Sequence, residues 1–363
     1  MRIFKFFFKA LIRRLSIDAA QIYTIKHNIK TWHSWRQKAT SGVILCDFMS
    51  ISEATIAFSY FSNIIARRLN AKIVPFSLKY RNWYFSTWLI FKSFNAKGII
   101  YCLHLSKAQK NKRDILYTTA KKTIHNKRDF LDLEVEGIRI GIDIYETYLR
   151  EFYNPTVDLD DPLFWKTVKN GIGILVYWQD YFSNHNVASV IVSHDNYMTM
   201  NIVCKVAYSK KIPVYSPTVR GFYSLDAQFM THKYFSDYPA IFKTLSPLEQ
   251  LEGLKWAKER LKLKFNGEVG VDMSYSFESG YTDKYSDTKV LRESNKIKIL
   301  IASHCFYDNP HAFDEFMFPD FYEWLHFLGK LSEETDYDWY IKSHPDPLPG
   351  TFEVLNEIVT CYP

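Results

Sequence analysis

The stretch "VASVIVSHDNYMTMNIVCKVAYSKKIPVYSPT", Val187 to Thr218, decides the fold. Ala188 to Val192 is an unbroken run of small and β-branched residues, and Ile212 to Tyr215 is a second extended segment. From about Tyr197 to Ser209 the apolar residues recur at helical spacing. Strand, helix and strand in about 30 residues make a βαβ unit, and such a unit pairs its strands in parallel. A run without alternation fits a strand covered on both faces. The unit carries Ser193, His194 and Asp195 at the carboxyl end of its first strand, the edge where open α/β sheets bind ligands.

The same pattern extends in both directions. "GVILCDFM" (Gly42 to Met49) reads as a buried strand. "SEATIAFSYFSNIIARRLN" follows as a helix, with Ser52 as N-cap and Asn70 as its stop. "AKIVPFS" and "KGIIYCLHL" read as further strands. Asp47 interrupts the first of these strands, and a buried carboxylate needs a partner or a raised pKa. A structural hydrogen bond to the next loop and a catalytic role both satisfy that requirement. The acids of "YNPTVDLDDPLFW", Asp158, Asp160 and Asp161, resemble a metal-binding pair. Asp161 before Pro162 reads better as an N-cap with proline in the first helical position, so no metal is expected. Ser246 and Glu249 form a capping box for the helix that ends at Asn266 and Gly267.

Ser, Tyr, Asp and Lys dominate from about Ser274 to Lys296, which reads as a linker. A second α/β domain opens with "KIKILIASHCFYDNPHAF", whose strand ends in Ser303, His304 and Cys305 before a loop to His311. An amphipathic helix with Asp320 near its start follows. "WYIKSHPDPLP" (Trp339 to Pro349) then takes a strand into Lys342, Ser343, His344, Pro345 and Asp346. The expected organisation is a basic amphipathic segment at 1–40, a Rossmann-like domain at 41–273, a linker at 274–296 and a second Rossmann-like domain at 297–363. That second domain has little more than sixty residues, against a usual ~100–150, and reads as truncated. GxGxxG and P-loop signatures are absent, which removes the fingerprints of Rossmann dehydrogenases and P-loop NTPases.

Composition limits the partners. The net charge is +7, and much of the excess sits early, in Arg2, Lys5, Lys9, Arg13 and Arg14. As a helix, "MRIFKFFFKALIRRL" sets a cationic stripe beside Phe4, Phe7, Phe8 and Leu11. An interfacial helix on an anionic inner-membrane surface and a terminal helix docked on its own domain both fit. No apolar run reaches the roughly 18 residues of a membrane span, and no nucleic-acid motif is present. The five cysteines are scattered and odd in number. They read as reduced thiols of a cytoplasmic protein, peripheral at the membrane if the first segment binds lipid.

Three strand ends thus carry His with Ser, Asp or Lys, a set suited to phosphate binding and acid–base work in a cleft between two domains. Lys342 and His344, two apart, share one face of their strand and can meet one anion. The segment "SHCFYDNPHAF…FPDFYEWLHFLGKLSEETDYDWYIKSHPD" resembles bacterial capsule and lipopolysaccharide glycosyltransferases of the GT-B type. Its His-Pro pair is similar to the HP motif of bacterial sialyltransferases and Kdo transferases, and to pairs in CDP-glycerol glycerophosphotransferases. The resemblance covers residues 297–346 best and implies two Rossmann-like domains facing a cleft, with the donor on the C-terminal one. It places His344 on the phosphate of a nucleotide-sugar donor, a CMP-linked one among the candidates, and a glycan or lipid-linked acceptor on the N-terminal domain. Lys342, Ser343, Ser303 and His304 join His344 on the donor. Asp195 is the first choice of base, with His194 or Asp47 as substitutes, while Arg220 and His311 are candidate anion contacts. No cofactor is implied. Two rivals stand beside this reading: a CDP-linked glycerol- or ribitol-phosphate transferase, and a non-catalytic polysaccharide-biosynthesis subunit.

Overall fold

The structure, a computed structural model, describes residues 15–35, 42–49, 52–78, 84–217, 221–226, 238–271, 279, 281, 291–311, 316–344 and 347–363. The basic helix expected over the first fifteen residues, most of the expected linker, Arg220, Pro345 and Asp346 lie outside the described residues. The chain forms two compact units, Met1–Thr147 with Leu159–Tyr234, and Tyr148–Asp158 with Phe235–Pro363.

Unit 1 is an α/β layer structure on a mixed, mostly parallel sheet. Its strands are β1 (Gly42–Asp47), β2 (Ala71–Ser77), β3 (Ile100–Tyr101), β6 (Val187–Ile191), β7 (Val214–Pro217) and β8 (Phe222–Leu225). A separate antiparallel hairpin, β4 (Glu134–Val135) and β5 (Ile138–Arg139), stands apart. Among the described residues the sheet order is β3-β2-β1-β6-β7-β8, with β8 antiparallel to its neighbour and the others parallel. All six residues of β1 are buried, which explains its unalternating apolar sequence. Trp32, Phe58, Phe91 and Phe94 pack with Ile44, Cys46 and Ile73 of the sheet in one hydrophobic cluster. Each such fully buried side chain contributes about 1.5–3 kcal/mol relative to exposure.

The helix Pro162–Asn184 is buried along much of its circumference, including Phe164, Ile172, Leu175 and Trp178, and Trp178 meets Phe76 of β2 edge-on at 5.3 Å. Gly171 is needed there, because a Cβ would come within 2.5 Å of Ile144. Asp161 caps this helix by accepting from the Leu163 amide at 2.8 Å, as the Asp-Pro pair led one to expect. Asn70 closes the helix Ser52–Leu69 in the left-handed region, φ +48°, a conformation asparagine tolerates. The expected strand "KGIIYCLHL" contributes only Ile100–Tyr101, because Ser106 and Gln109 form a capping box that starts the helix Lys107–Thr123.

Unit 2 contains a parallel pair, β9 (Lys298–Ala302) and β10 (Asp338–Lys342), joined through the helix Phe321–Glu333 and followed by the helix Thr351–Cys361. Ile301, Phe306, Tyr307, Leu325, Leu355 and Ile358 make its core. The expected boundary at 273/274 differs from the unit boundaries, for a physical reason. Thr156 donates to Asp320 at 2.5 Å, Arg150 lies 3.8 Å from Asp308, and Tyr153 packs edge-on to Tyr307 at 5.6 Å. Those contacts tie Tyr148–Asp158 into unit 2. Asp320, fully buried, also caps its helix by accepting from the Glu323 amide at 2.8 Å. Among the described residues no helix is long and apolar enough to cross a membrane.

Candidate functional site

The chain lays down β1, β2 and β3 toward one edge, then returns to place β6 on the other side of β1. This reversal makes the β1/β6 pair the switch point of the sheet, where ligands of open α/β sheets bind beyond the strands' carboxyl ends. Asp47 is the last residue of β1, and Ser193 lies two residues beyond β6. The Ser193 hydroxyl donates to Asp47 Oδ2 at 3.0 Å and lies 2.7 Å from His194 Nδ1. An ionised carboxylate only accepts, so the single hydroxyl proton points at Asp47 and the second contact is His194 Nδ1–H donating to Ser193 Oγ. In that tautomer Nε2 carries the lone pair of the ring. Burial pushes Asp47 up from 3.8 to about 6, partly offset by hydrogen bonds from the Ser193 side chain and backbone.

The loop that carries these groups is unusual in its backbone. Tyr197 is left-handed, φ +61°, and opens a π-turn, Tyr197–Asn201, ahead of the α-helix Ile202–Ser209. A non-glycine residue there costs on the order of 1–3 kcal/mol and persists only when its surroundings hold it. The Tyr197 ring stands edge-on to His194 at 6.1 Å. Ser216 of β7 donates to the Ser193 carbonyl at 2.9 Å, anchoring the loop from the next strand. Asp195 is 1% exposed. After burial itself, it is the largest influence raising the thiol pKa of Cys204. His194 and Ser193 remain half-buried.

In unit 2, His304 and His344 are exposed at the carboxyl ends of β9 and β10, with ring centroids 5.9 Å apart. Lys342, also exposed, ends β10, and Ser343 beside it is half-buried. The Ser303 hydroxyl donates to the Lys342 carbonyl at 3.1 Å, and the Ser303 amide donates to the same oxygen at 2.9 Å. Ser303 thus joins the two strand ends and keeps oxygen lone pairs, but no proton, for a ligand. His311 packs edge-on to Phe316 at 6.2 Å.

The structure therefore joins Asp47 to His194 through Ser193 within unit 1, and His304 to His344 beside Lys342 within unit 2. Sequence reasoning missed the bridging role of Ser193 and the residues behind the π-turn: Asp143, Thr147, Asn201 and Lys205. Asn201 and Lys205 stand four apart on one helical face, but nothing local links them to Asp143. A cavity of about 540 Å³ lined by Gln109, Lys112, Glu136, Gln179, Asp180 and Lys210 takes in none of the candidate residues. Its Lys112 and Glu136 neutralise each other at 2.8 Å. Among the described residues no cluster of three or more His, Cys, Asp or Glu side chains could hold a metal ion. Compared with protein-family models, with curated proteins and with solved structures, the chain matches none.

Proposed function

We propose that the chain is a glycosyltransferase of the GT-B type that moves a sugar from a nucleotide-sugar donor onto a bacterial surface glycan or its lipid-linked precursor. The observation that carries this reading is the Asp47–Ser193–His194 chain at the switch point of the unit 1 sheet. In it His194 Nε2 takes the proton of an acceptor hydroxyl, while Ser193 and ionised Asp47 steady the imidazolium through Nδ1–H. The acceptor oxygen attacks the anomeric carbon as the bond from that carbon to the donor phosphate breaks. The phosphate leaves with the electron pair. Within unit 2, Lys342, His304 and His344 are the groups this reading gives to the phosphates of a bound nucleotide. Asp195, the first choice of base from the sequence, gives way to His194 because its carboxylate is buried.

A second reading, a non-catalytic polysaccharide-biosynthesis subunit, draws on the unit 2 sheet. Among the described residues it has two strands, and Leu300 on its open face is 61% exposed, whereas parallel sheets are ordinarily covered on both faces. The test is thermal-shift binding of CMP, CDP, UDP and GDP to the full chain and to His344→Ala, beside release of nucleotide from the matching sugar donors. Ligand at about 100 times its Kd adds about 2.7 kcal/mol of stability, an easily read shift. Stabilisation by one nucleotide, lost in His344→Ala, together with donor turnover that falls ~10²–10⁴-fold in His194→Ala, is the expected result. A cooperative melt unmoved by every nucleotide would overturn the enzyme reading and leave the subunit.

A further inference from the structure

The π-turn Tyr197–Asn201 is held from behind by a network that takes no part in the Asp47–Ser193–His194 chain. Asp143, 1% exposed, lies on the helix Gly141–Phe152. Its Oδ1 accepts from Asn201 Nδ2 at 2.7 Å and its Oδ2 accepts from Lys205 Nζ at 2.7 Å. Lys205 also donates to the Arg139 carbonyl at 2.8 Å, which fixes the ammonium against β5. One turn further along the Asp143 helix, the buried Thr147 hydroxyl donates to the Asp143 carbonyl at 2.6 Å and accepts from the Met198 amide at 2.9 Å. Met198 and Asn201 are the second and last residues of the π-turn, so the network grips it at both ends.

A π-turn carries one residue more per turn than an α-helix and is rare without outside support. Released, the segment gains by rewinding to α geometry, which would carry Tyr197 out of the left-handed region and take its ring away from His194. His194 is three residues upstream, so a change of register at Tyr197 swings its imidazole off Ser193. We propose that Asp143, Asn201, Lys205 and Thr147 are positioning residues for the catalytic base, holding the π-turn in the register that keeps His194 Nδ1 on Ser193. The proposal rests on the reading of His194 as base, and it makes the geometry of that base depend on a buried carboxylate and its half-buried lysine outside the reacting groups.

The experiment compares wild type with Asn201→Leu, Thr147→Val and Thr147→Ser as full chains, each checked for a cooperative melt. The first readout is the tautomer of His194, from ¹⁵N shifts in histidine-labelled protein at neutral pH. Wild type should hold the proton on Nδ1, whereas free imidazole side chains favour Nε2. Asn201→Leu and Thr147→Val should lose the Nδ1 preference, and Thr147→Ser, which keeps the hydroxyl, should restore it. In turnover, the first two should lower kcat by about 10–100-fold with KM within about twofold, the signature of a misplaced group and not of lost binding. If Asn201→Leu does not fold, Thr147→Val and its serine rescue carry the test alone. Folded variants that keep the wild-type tautomer and kcat overturn the proposal. Loss of the tautomer in a protein that turns over no donor keeps the positioning role and overturns the transferase reading instead.

Discussion

Asp47→Asn separates function from stability most sharply, because the carboxylate is costly where it stands. Its pKa rises from 3.8 to about 6 on folding, burial being the main cause. Between those values the folded protein holds a proton that the unfolded chain has released, so stability falls as pH rises through the window. The loss is complete above about pH 7, and below about pH 3.5 it is absent. A difference of about 2.2 units at about 1.36 kcal/mol each gives roughly 3 kcal/mol. Asparagine has nearly the same shape, accepts from Ser193 through its carbonyl, and does not titrate. In urea melts followed by tryptophan fluorescence, the stability of Asp47→Asn minus that of wild type should therefore grow by about 3 kcal/mol from about pH 3.5 to about pH 7. For a unit of this size that is on the order of 6–12 °C in Tm at neutral pH. Turnover should move the opposite way, falling ~10²–10⁴-fold as the imidazolium loses its anionic anchor. The part of the wild-type acid limb that Asp47 contributes near pH 6 should vanish from what remains, while the limb that belongs to the imidazole base stays. A stability difference that stays flat across the range would refute the reasoning, because an unperturbed or solvated Asp47 could not act through Ser193.

Two further substitutions test the scaffold. Gly141→Ala would drive a Cβ into the Phe130 carbonyl and against Leu131. Backbone cannot yield there as a side-chain end can, so a loss of at least about 3 kcal/mol is expected in thermal melts, with Thr147 and Asp143 displaced together. Asp320→Ala removes both the cap of the helix Phe321–Glu333 and the acceptor of Thr156. It should cost about 2–3 kcal/mol, seen as lost hydrogen-exchange protection in that helix, while Asp320→Asn should keep most of the cap.

What could be read from the sequence was what lies close together in it. The unalternating run of β1, the Asp161–Pro162 helix start and the strand ends at Ser193, Ser303 and Lys342 each declare themselves within a few residues. The pairing of Asp47 with Ser193 spans 146 positions, so no local pattern could announce it, and the same holds for Thr156 with Asp320, 164 apart. Residue type pointed to Asp195 as the base, since a carboxylate beyond a strand is the commoner choice. The structure instead buries that carboxylate at 1% exposure and leaves His194 half-buried beside the serine. The helix from Tyr197 to Ser209 was legible as a helix, but its first five residues are a π-turn, and the groups that hold it, Thr147 on the Met198 N–H and Asp143 on the Asn201 side-chain amide, lie more than fifty positions away in the sequence.

Unit 1 thus gathers at one strand end a buried carboxylate, a left-handed tyrosine and a π-turn, each unfavourable by itself. The first is worth roughly 3 kcal/mol against folding at neutral pH, and the second on the order of 1–3 kcal/mol. Elsewhere β1 is buried along its length, Gly42 to Cys46 included, and its pairing with β6 is interrupted by one register shift between Val43 and Ile44. A sequence under selection for stability alone would place valine or asparagine at position 47 and let the helix begin without strain. Left-handed residues occur elsewhere too, at Asn70 and Asn95 for example, but at this strand end one coincides with a buried carboxylate and a π-turn, a combination of local violations that a reactive site leaves in a fold. They are also a reason, independent of any resemblance, to look for the chemistry at His194.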